Sequence, residues 1–538
     1  MTKTISARDL RDHWRDDREI ALLDVREEGP FSQGHPLFAL SVPVSEIEQK
    51  VPALIPRKSA PVVVYDSGEG YAGRAAERLT ALGYTDVAIL EGGLSAYAGH
   101  GEVYIDVNVP SKAFGELVES IRHTPSLPAP DVHRILQTEN DVVVLDARRF
   151  EEFNTMSIPR GRSVPGGELV YRINDVAPSP DTLVIVNCAG RTRSIIGTQS
   201  LIDAGIPNRV VALRNGTIGW TLAGLDLAKA RTERAEAPSS AGHRRARANA
   251  ERWAAHVGVP VIGAQDYERL VAERYERTLY RLDVRTPEEH AAAHPESFVS
   301  APGGQLVQAT DEWLGVRGAR IVLYDDDGVR ARMTASWLHQ MGWDVSVLAD
   351  DVELPPARSE EPRQVASHVD AEREIEPRDL AKLGDAVVAD LARSPAYRAG
   401  HIPGAWFVSG PELARDLGAL PGEGPVVLTS PDGALAAANL RLATASTKRT
   451  VHILKGGTAA WQAAGLPLDT AARWASPPQD VYKRPYEGTD NQNDKMQAYI
   501  DWELQLVAQL ANDGISRFRV VRAAPAESGG AGFSEAAE

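Results

Sequence analysis

A single cysteine, Cys188, is the only thiol among the 538 residues of the chain. This excludes an intramolecular disulfide and a metal site built from clustered cysteines, and it fits a reducing compartment. The sequence also lacks a run of about 18 apolar residues, and the opening MTKTISARDLRDHWRDD has no signal-peptide core. We therefore expect a cytoplasmic protein with no membrane partner, in which a thiol that reacts with Cys188 comes from another molecule.

The chain also lacks an excess of positive charge. Lys and Arg number 58 against 74 Asp and Glu, which gives a formal net charge of −16. A surface of this sign argues against nucleic acid as a partner, although a local group of arginines can still make one pocket positive. Apolar residues make up 43% of the chain and charged residues 25%, which is typical of a globular protein.

An apolar strand that ends in an acidic residue occurs four times along the chain. About 40 residues after each one, a second apolar strand leads into a polar or Gly-rich loop, and an amphipathic helix follows. Strands that alternate with helices at this spacing predict an α/β fold, in which a mostly parallel sheet carries helices on both faces. The acidic residues are Asp24, Asp146, Asp283 and Asp390, and the second strands lead to Asp66, Cys188, Asp325 and Ser430.

The four copies and the segments between them divide the chain. A charged, Ala-rich linker spans 229–257 and is expected to be an exposed connector or a surface helix. Another linker lies around 355–364, and the extension 473–538 is expected to hold one helix, from Asn493 to Ala511, and a disordered end after Ala523. The four predicted domains are 1–110, 125–228, 258–352 and 368–472.

Copy two has the most complete set of motifs. Asp146 and Arg148 follow its first strand, EEF comes next, and SIPRGRSVP forms the following turn. The loop CAGRTRS, from Cys188 to Ser194, then opens a helix and is followed by NGTIGW. These motifs resemble the rhodanese domain, as do AGHIPGA and KGGTAAW in copy four and LLDVRE in copy one. The resemblance covers roughly residues 5 to 470 and implies a rhodanese-type sulfurtransferase made of tandem rhodanese-like domains.

Only copy two has a cysteine at the start of its loop. Copies one, three and four carry Asp66, Asp325 and Ser430 there, and neither a carboxylate nor an unactivated hydroxyl can hold a sulfur atom as a persulfide. We therefore expect one active copy and three catalytically silent copies. The acidic run from Asp325 to Asp327 is expected to be a solvated, inactive loop and not a divalent cation site.

The position of Cys188, between a strand and a helix, suits an activated thiolate. Backbone N–H groups converge at such a turn and the helix N-terminus adds about half a positive charge, so we expect the pKa of Cys188 to fall below about 8.5. A buried core cysteine is the alternative, and the following glycine and arginines favour the catalytic role. The predicted active loop consists of the nucleophile Cys188 and of Ala189, Gly190, Arg191, Thr192, Arg193 and Ser194.

Three arginines of copy two have different expected roles. Arg191 and Arg193 are expected to bind the donor, because planar guanidinium forks match sulfonate or carboxylate oxygens in two-point contacts. Arg148 is expected to support the site by pairing with Asp146 or with a loop carbonyl, in preference to contacting the substrate. The tail and the neighbouring copies are expected to wall off the Cys188 pocket.

The resemblance implies that Cys188 takes the outer sulfur of a small anionic donor, thiosulfate or 3-mercaptopyruvate, as a persulfide. Cyanide or a thiol, including a protein thiol, then accepts the sulfur, and no metal or organic cofactor is implied. Two other functions stay open: a scaffold in which Cys188 is a sulfur relay or redox sensor, and a Cys-dependent phosphatase or arsenate reductase. Phosphatase loops place five residues between Cys and Arg, whereas four separate Cys188 from Arg193.

Overall fold

A computed structural model describes residues 3–357 and 370–522. Each of the four copies forms its own sheet, in which five strands, counted along the chain, lie in the spatial order first, fifth, fourth, second and third. Every strand pairing described within these sheets is parallel. Copy four adds a sixth strand beside its third. The predicted fold class, tandem α/β domains with mostly parallel sheets, is confirmed.

The strands of the four sheets follow the same succession in each copy. Those of copy one are Lys3–Ile5, Ala21–Asp24, Ala39–Ser41, Val62–Tyr65 and Val87–Leu90. Those of copy two are Ser126–Leu127, Val142–Asp146, Gly161–Ser163, Leu183–Asn187 and Val210–Leu213. Those of copy three are Val261–Ile262, Leu279–Asp283, Val299–Ser300, Arg320–Tyr324 and Asp344–Leu348. Those of copy four are Glu374–Ile375, Val387–Asp390, Trp406–Phe407, Val426–Thr429, Val451–Leu454 and Arg473–Trp474.

Helices cover both faces of each sheet. In copy one they are Ala7–Arg15, Glu28–Gln33, Ile47–Leu54, Tyr71–Ala81 and Gly93–Tyr97. In copy two they are Ala129–Thr138, Phe150–Thr155, Leu169–Val176, Thr192–Asp203 and Gly216–Leu222. In copy three they are Ala264–Ala272, Pro287–Ala292, Gly303–Gln308 and Arg330–Gln340. In copy four they are Pro377–Leu380, Ser394–Ala399, Leu413–Asp416, Ala434–Ser446 and Gly457–Ala463.

Copies one, two and three share one continuous hydrophobic core. It includes Leu23 of copy one, Val186 of copy two and Leu323 of copy three, all of them on central strands. Copy four has separate core clusters of its own. The continuous Val, Ile and Leu runs of the central strands are buried on both faces, as doubly covered parallel strands require.

The segment predicted as an exposed connector or surface helix contains the helix Ser240–Val257. One face of this helix is buried, with Ala246, Ala250 and Trp253 in the core shared by the first three copies. Small alanine side chains allow the close approach to neighbouring helices, so the Ala-rich composition reflects packing and not only exposure. The linker predicted around 355–364 lies largely outside the described residues, as does the end after Ala523.

Two helices outside the repeats bear on the site described below. The helix Val109–Arg122 connects copies one and two. The single tail helix predicted from Asn493 to Ala511 is two helices, Asn493–Glu503 and Leu506–Asp513, separated by a short turn. Within residues 3–357 and 370–522, no helix has both the length and the apolar content needed to cross a membrane.

The tail is attached to the repeats at both ends. Its strand Arg473–Trp474 adds to the copy-four sheet beside Trp406–Phe407. Near its other end, Asp513 forms a buried ion pair with Arg11 of copy one, with a distance of 2.5 Å between Nη1 and Oδ1. The tail therefore crosses the molecule between copy four and copy one.

Candidate active site

The Cys188 loop begins where a buried strand of copy two ends. Strand Leu183–Asn187 is buried throughout, and helix Thr192–Asp203 starts four residues after Cys188. The thiol donates to Ser194 Oγ, with Sγ and Oγ 3.4 Å apart, and the Ser194 backbone N–H acts to lower the pKa of the thiol. The loop thus aims the first turn of the helix at Sγ, as the strand, loop and helix pattern predicts.

A second segment of copy two is hydrogen-bonded to the backbone of the loop. The backbone N–H of Thr217 donates to the Cys188 carbonyl (2.9 Å), and that of Ile218 donates to the Ala189 carbonyl (3.0 Å). Gly216 has φ +54°, and a Cβ at this position would lie 2.3 Å from the Cys188 carbonyl oxygen. Gly216, the first glycine of NGTIGW, is therefore required for the close approach of this segment to the Cys188 loop.

The environment of Cys188 differs from the sequence-based expectation in one respect. The residue is 1% exposed, and burial raises the pKa of its thiol above the usual value, although Arg193 and the hydrogen bonds from Ser194 act to lower it. The expectation of a lowered pKa was wrong for this arrangement, because segments from outside copy two cover the loop and remove water from the sulfur.

Both arginines of the loop are paired with carboxylates. Arg191 makes two contacts with Glu116 of the connecting helix, at 2.7 and 2.8 Å. Arg193 makes two contacts with Glu152, at 2.7 and 2.9 Å. Burial acts to raise the pKa of Glu152, but the neighbouring guanidiniums lower it to about 2. The two cations expected to bind the donor are therefore already neutralised in this structure.

Glu152, the partner of Arg193, could be predicted from the sequence only by comparing the repeats. Glu152 lies six residues after Asp146, and Glu289 lies six residues after Asp283 in copy three. In copy three Arg330, which aligns with Arg193, also contacts its own copy's glutamate, at 2.6 and 3.0 Å. Glu116 lies outside the repeats, so no such comparison reveals it.

Asp146 and Arg148 form a buried pair beside the loop. Arg148 Nε and Nη2 donate to the Asp146 carboxylate at 2.8 and 2.7 Å, and Nη2 also donates to the Met156 carbonyl (2.6 Å). Asn187, the residue before Cys188, donates to the same carboxylate (2.9 Å). The same pairing with a loop carbonyl occurs in copies one and three, which lack the cysteine, through Asp24 with Arg26 and Asp283 with Arg285.

Two copies without a cysteine show how the loop holds a carboxyl group. In copy one the Asp66 carboxylate accepts the backbone N–H of Ala72 (2.9 Å). In copy three the Asp325 carboxylate accepts those of Gly328 (3.1 Å) and Ala331 (2.8 Å). Ala72 and Ala331 each lie six residues after the acid, the same offset as from Cys188 to Ser194. In copies one and three the loop is thus a cradle of N–H groups around an aspartate side chain.

The acidic run of copy three is held by protein groups. Asp326 contacts Arg285 at 2.6 Å, and Asp327 contacts Arg330 at 2.6 Å. Among the described residues, no group of three or more His, Cys, Asp or Glu side chains is arranged to hold a metal ion. In copy four, the Ser430 hydroxyl accepts the backbone N–H of Ala436 at 3.3 Å.

The active loop is covered by the two segments outside the repeats. Thr192 packs against Gly115 of the connecting helix, where a Cβ would lie 2.8 Å from Thr192 Cγ2. From the tail, Tyr499 and Glu503 approach Gly190: Tyr499 Cε1 and Glu503 Oε2 lie 3.3 and 3.4 Å from the position of a Cβ there. The tail therefore lies directly on the loop, and Glu503 is a site residue that the sequence did not point to.

Comparisons with known proteins agree with this architecture. The family model for the rhodanese-like domain matches residues 6–100, 129–223, 267–353 and 376–464. The crystal structure of a thiosulfate sulfurtransferase from Pseudomonas aeruginosa is 50% identical with a TM-score of 0.92, and it covers 97% of this chain and 100% of that chain.

Two shorter bacterial proteins match single stretches of the chain. The thiosulfate sulfurtransferase PspE of Escherichia coli (strain K12) is 30% identical over 76 residues, 14% of this chain and 65% of PspE. The uncharacterized protein YqhL of Bacillus subtilis (strain 168) is 33% identical over 99 residues, 18% of this chain and 75% of YqhL. The comparisons confirm the predicted enzyme class, a rhodanese-type sulfurtransferase. The chain belongs to the rhodanese-like family, as four tandem domains.

Proposed function

We propose that this protein moves sulfane sulfur from a small anionic donor, of the thiosulfate or 3-mercaptopyruvate class, to a thiol or cyanide. Cys188 carries the sulfur as a persulfide between the two half-reactions. The observation that carries the proposal is the loop geometry: backbone N–H groups at the start of the helix donate to the carboxyl groups of Asp66 and Asp325, and Cys188 stands at the same position in copy two. A cradle of this kind stabilises a thiolate and a persulfide in the same way, since both are anions at one position.

With thiosulfate as donor, the Cys188 thiolate attacks the outer sulfur. A bond forms between the two sulfurs, the bond between the outer sulfur and the sulfonate sulfur breaks, and sulfite leaves with the electron pair. The acceptor thiolate or cyanide then attacks the outer sulfur of the persulfide, and the Cys188 thiolate leaves. No proton, oxidant or reductant beyond the donor and acceptor is needed for this balance.

The loop residues take different parts in this mechanism. Ser194 stabilises the sulfur anion through its backbone N–H and its hydroxyl, both of which act to lower the pKa of the thiol. Arg193 supplies positive charge that lowers the pKa of Cys188 against the effect of burial. A donor sulfonate or carboxylate reaches Arg191 or Arg193 only by sharing them with Glu116 or Glu152, which hold them now.

The test is sulfur loading measured by intact mass. After incubation with thiosulfate or 3-mercaptopyruvate, we expect a gain of one sulfur atom, which cyanide or a thiol removes. Cys188→Ser abolishes the gain, and Ser430→Ala, the equivalent position in silent copy four, leaves it unchanged. Loading that persists in Cys188→Ser contradicts the proposal, and cleavage of p-nitrophenyl phosphate by the wild type identifies a phosphatase instead.

A further inference from the structure

The tail places a buried carboxyl group over the Cys188 loop. Glu503 is 1% exposed, and its Oε1 accepts the Tyr499 hydroxyl at 2.7 Å. Its Oε2 is buried and has no hydrogen-bond partner among the described residues, and it is the oxygen that approaches Gly190. One oxygen is thus anchored within the tail helix, while the other faces the loop without a partner.

The cations near Glu503 are committed to other carboxylates. Lys112 pairs with Asp106, at 2.6 Å between Nζ and Oδ1, and its ammonium group lies 5.1 Å from the ring centre of Tyr499. Arg191 is held in two contacts by Glu116. Glu503 has no ion-pair partner of its own among the described residues, so an ionised form would be a buried and unbalanced charge.

Several groups face Glu503 and affect its ionisation. Burial raises its pKa most strongly, and the charge of Glu116 raises it further. Lys112, the hydrogen bond from Tyr499 and the charge of Arg191 act to lower it. Together they place the pKa of Glu503 at about 8. Cys188 also faces this carboxyl, and a charged Glu503 raises the pKa of the thiol. Of the nearby rings, Tyr486 packs against the same tail helix at Tyr499. Glu503 is therefore neutral at pH 7.

We propose that Glu503 is a positioning residue of the Cys188 site, which closes the tail over the loop as a neutral acid and opposes the anionic sulfur when it ionises. The inference rests on the proposed function for its effect on sulfur transfer. Every species in that reaction adds negative charge to the cradle: the thiolate, the thiosulfate dianion and the persulfide. A carboxylate in contact with the same loop, shielded from water, raises the free energy of each of them.

The proposal predicts that Glu503 delays the rise of sulfur loading with pH. Loading by thiosulfate rises as the Cys188 thiolate forms, and the rise comes at higher pH because Glu503, with a pKa of about 8, ionises first and raises the pKa of the thiol. In Glu503→Gln, which keeps the shape of the neutral acid, the rise comes at lower pH. Tyr499→Phe removes the hydrogen bond that favours the ionised form, so its loading at about pH 9 lies between that of wild type and that of Glu503→Gln.

The experiment compares wild type, Glu503→Gln and the control Asp501→Asn, which removes a charge from the exposed face of the same helix. Alkylation of Cys188 by iodoacetamide and loading by thiosulfate are each followed from about pH 6 to about pH 10, a range that spans ordinary thiol ionisation. At about pH 9 we expect Glu503→Gln to be alkylated on the order of threefold to tenfold faster than wild type. Asp501→Asn follows wild type.

The two readouts separate the inference from the proposed function. Identical pH profiles for wild type and Glu503→Gln in both assays overturn the role of Glu503, even if sulfur is loaded. Different alkylation profiles with no loading in any variant leave the role of Glu503 in setting thiol reactivity intact and contradict sulfur transfer. If Glu503→Gln disturbs folding, Tyr499→Phe tests the same inference, because a pH profile identical to that of wild type in this variant contradicts it.

Discussion

Copies two and three have the same framework, but a different side chain lies in the loop of each copy. Both keep the buried Asp–Arg pair at the end of the second strand, and both place an arginine five residues after the start of the loop, paired with a glutamate. Copy two has Cys188 in the N–H cradle, whereas copy three has the carboxylate of Asp325. The shared framework therefore belongs to the fold, and the two loops differ in one side chain and in what covers it.

The covers of the two loops also differ in charge. Over copy three lies the helix Ser240–Val257, where Arg247 comes within 3.4 Å of the position of a Cβ on Gly328 and His243 bonds the Asp327 carbonyl. Over copy two lies the tail helix with the neutral acid Glu503. The loop with the thiol therefore has an acidic residue in its cover, whereas the loop with the fixed carboxyl group has basic residues in its cover.

The largest effect on sulfur loading is expected when Cys188 of copy two is replaced by aspartate, the residue of copy three. In Cys188→Asp the new carboxylate should accept the Ser194 N–H, as Asp325 accepts that of Ala331. We expect no detectable sulfur loading by intact mass, with the thermal unfolding of the wild type retained. A variant that still loads sulfur would show that the cradle of copy two is not the site.

The reverse substitution puts a cysteine into the loop of copy three and tests the effect of its surroundings. Asp325→Cys introduces a second thiol into a loop that retains Asp326 and Asp327, and these carboxylates raise the pKa of a thiol beside them. We expect loading at this position on the order of tenfold or more slower than at Cys188, because one pKa unit is a tenfold change. Peptide mapping after thiosulfate treatment measures the two positions separately, and equal loading would contradict a role for the cover and the neighbouring charges.

The shared framework predicts equal losses of stability in the two copies. Arg148→Met leaves Asp146 without its buried partner, and Arg285→Met does the same to Asp283. We expect each to lower the free energy of unfolding by about 3 to 5 kcal/mol, measured by denaturant titration. Arg134→Met, which breaks an exposed pair, is the control and should change it by less than about 1 kcal/mol. A loss confined to Arg148→Met would mean that the pair serves the site and not the fold.

The smallest effect concerns the pH dependence of stability through Glu503. Its pKa rises from the usual 4.5 to about 8 on folding, so between these values the folded protein holds a proton that the unfolded chain releases. Wild-type stability therefore falls relative to Glu503→Gln as pH rises through this window. We expect the gap in Tm to widen by on the order of 2 to 4 °C, measured by calorimetry from pH 4.5 to pH 8. A gap that is constant with pH would show that Glu503 is not buried as an acid.

The repeats and the Cys188 loop could be predicted because their signals are local. A buried strand, a polar turn and an amphipathic helix each leave a short-range pattern, and the copies repeat it. The partners of the loop could not be predicted in the same way, because Glu116 and Glu503 come from segments with no counterpart among the repeats. The direction of the Cys188 pKa was missed for the same reason: the water that the tail excludes leaves no trace in the loop sequence.

The attachment of the tail ties the Cys188 loop to two other domains. A strand added to copy four holds one end of the tail, an ion pair with copy one holds the other, and the stretch between them contacts Gly190. Neither attachment point belongs to copy two, so the cover of Cys188 depends on the placement of copies one and four.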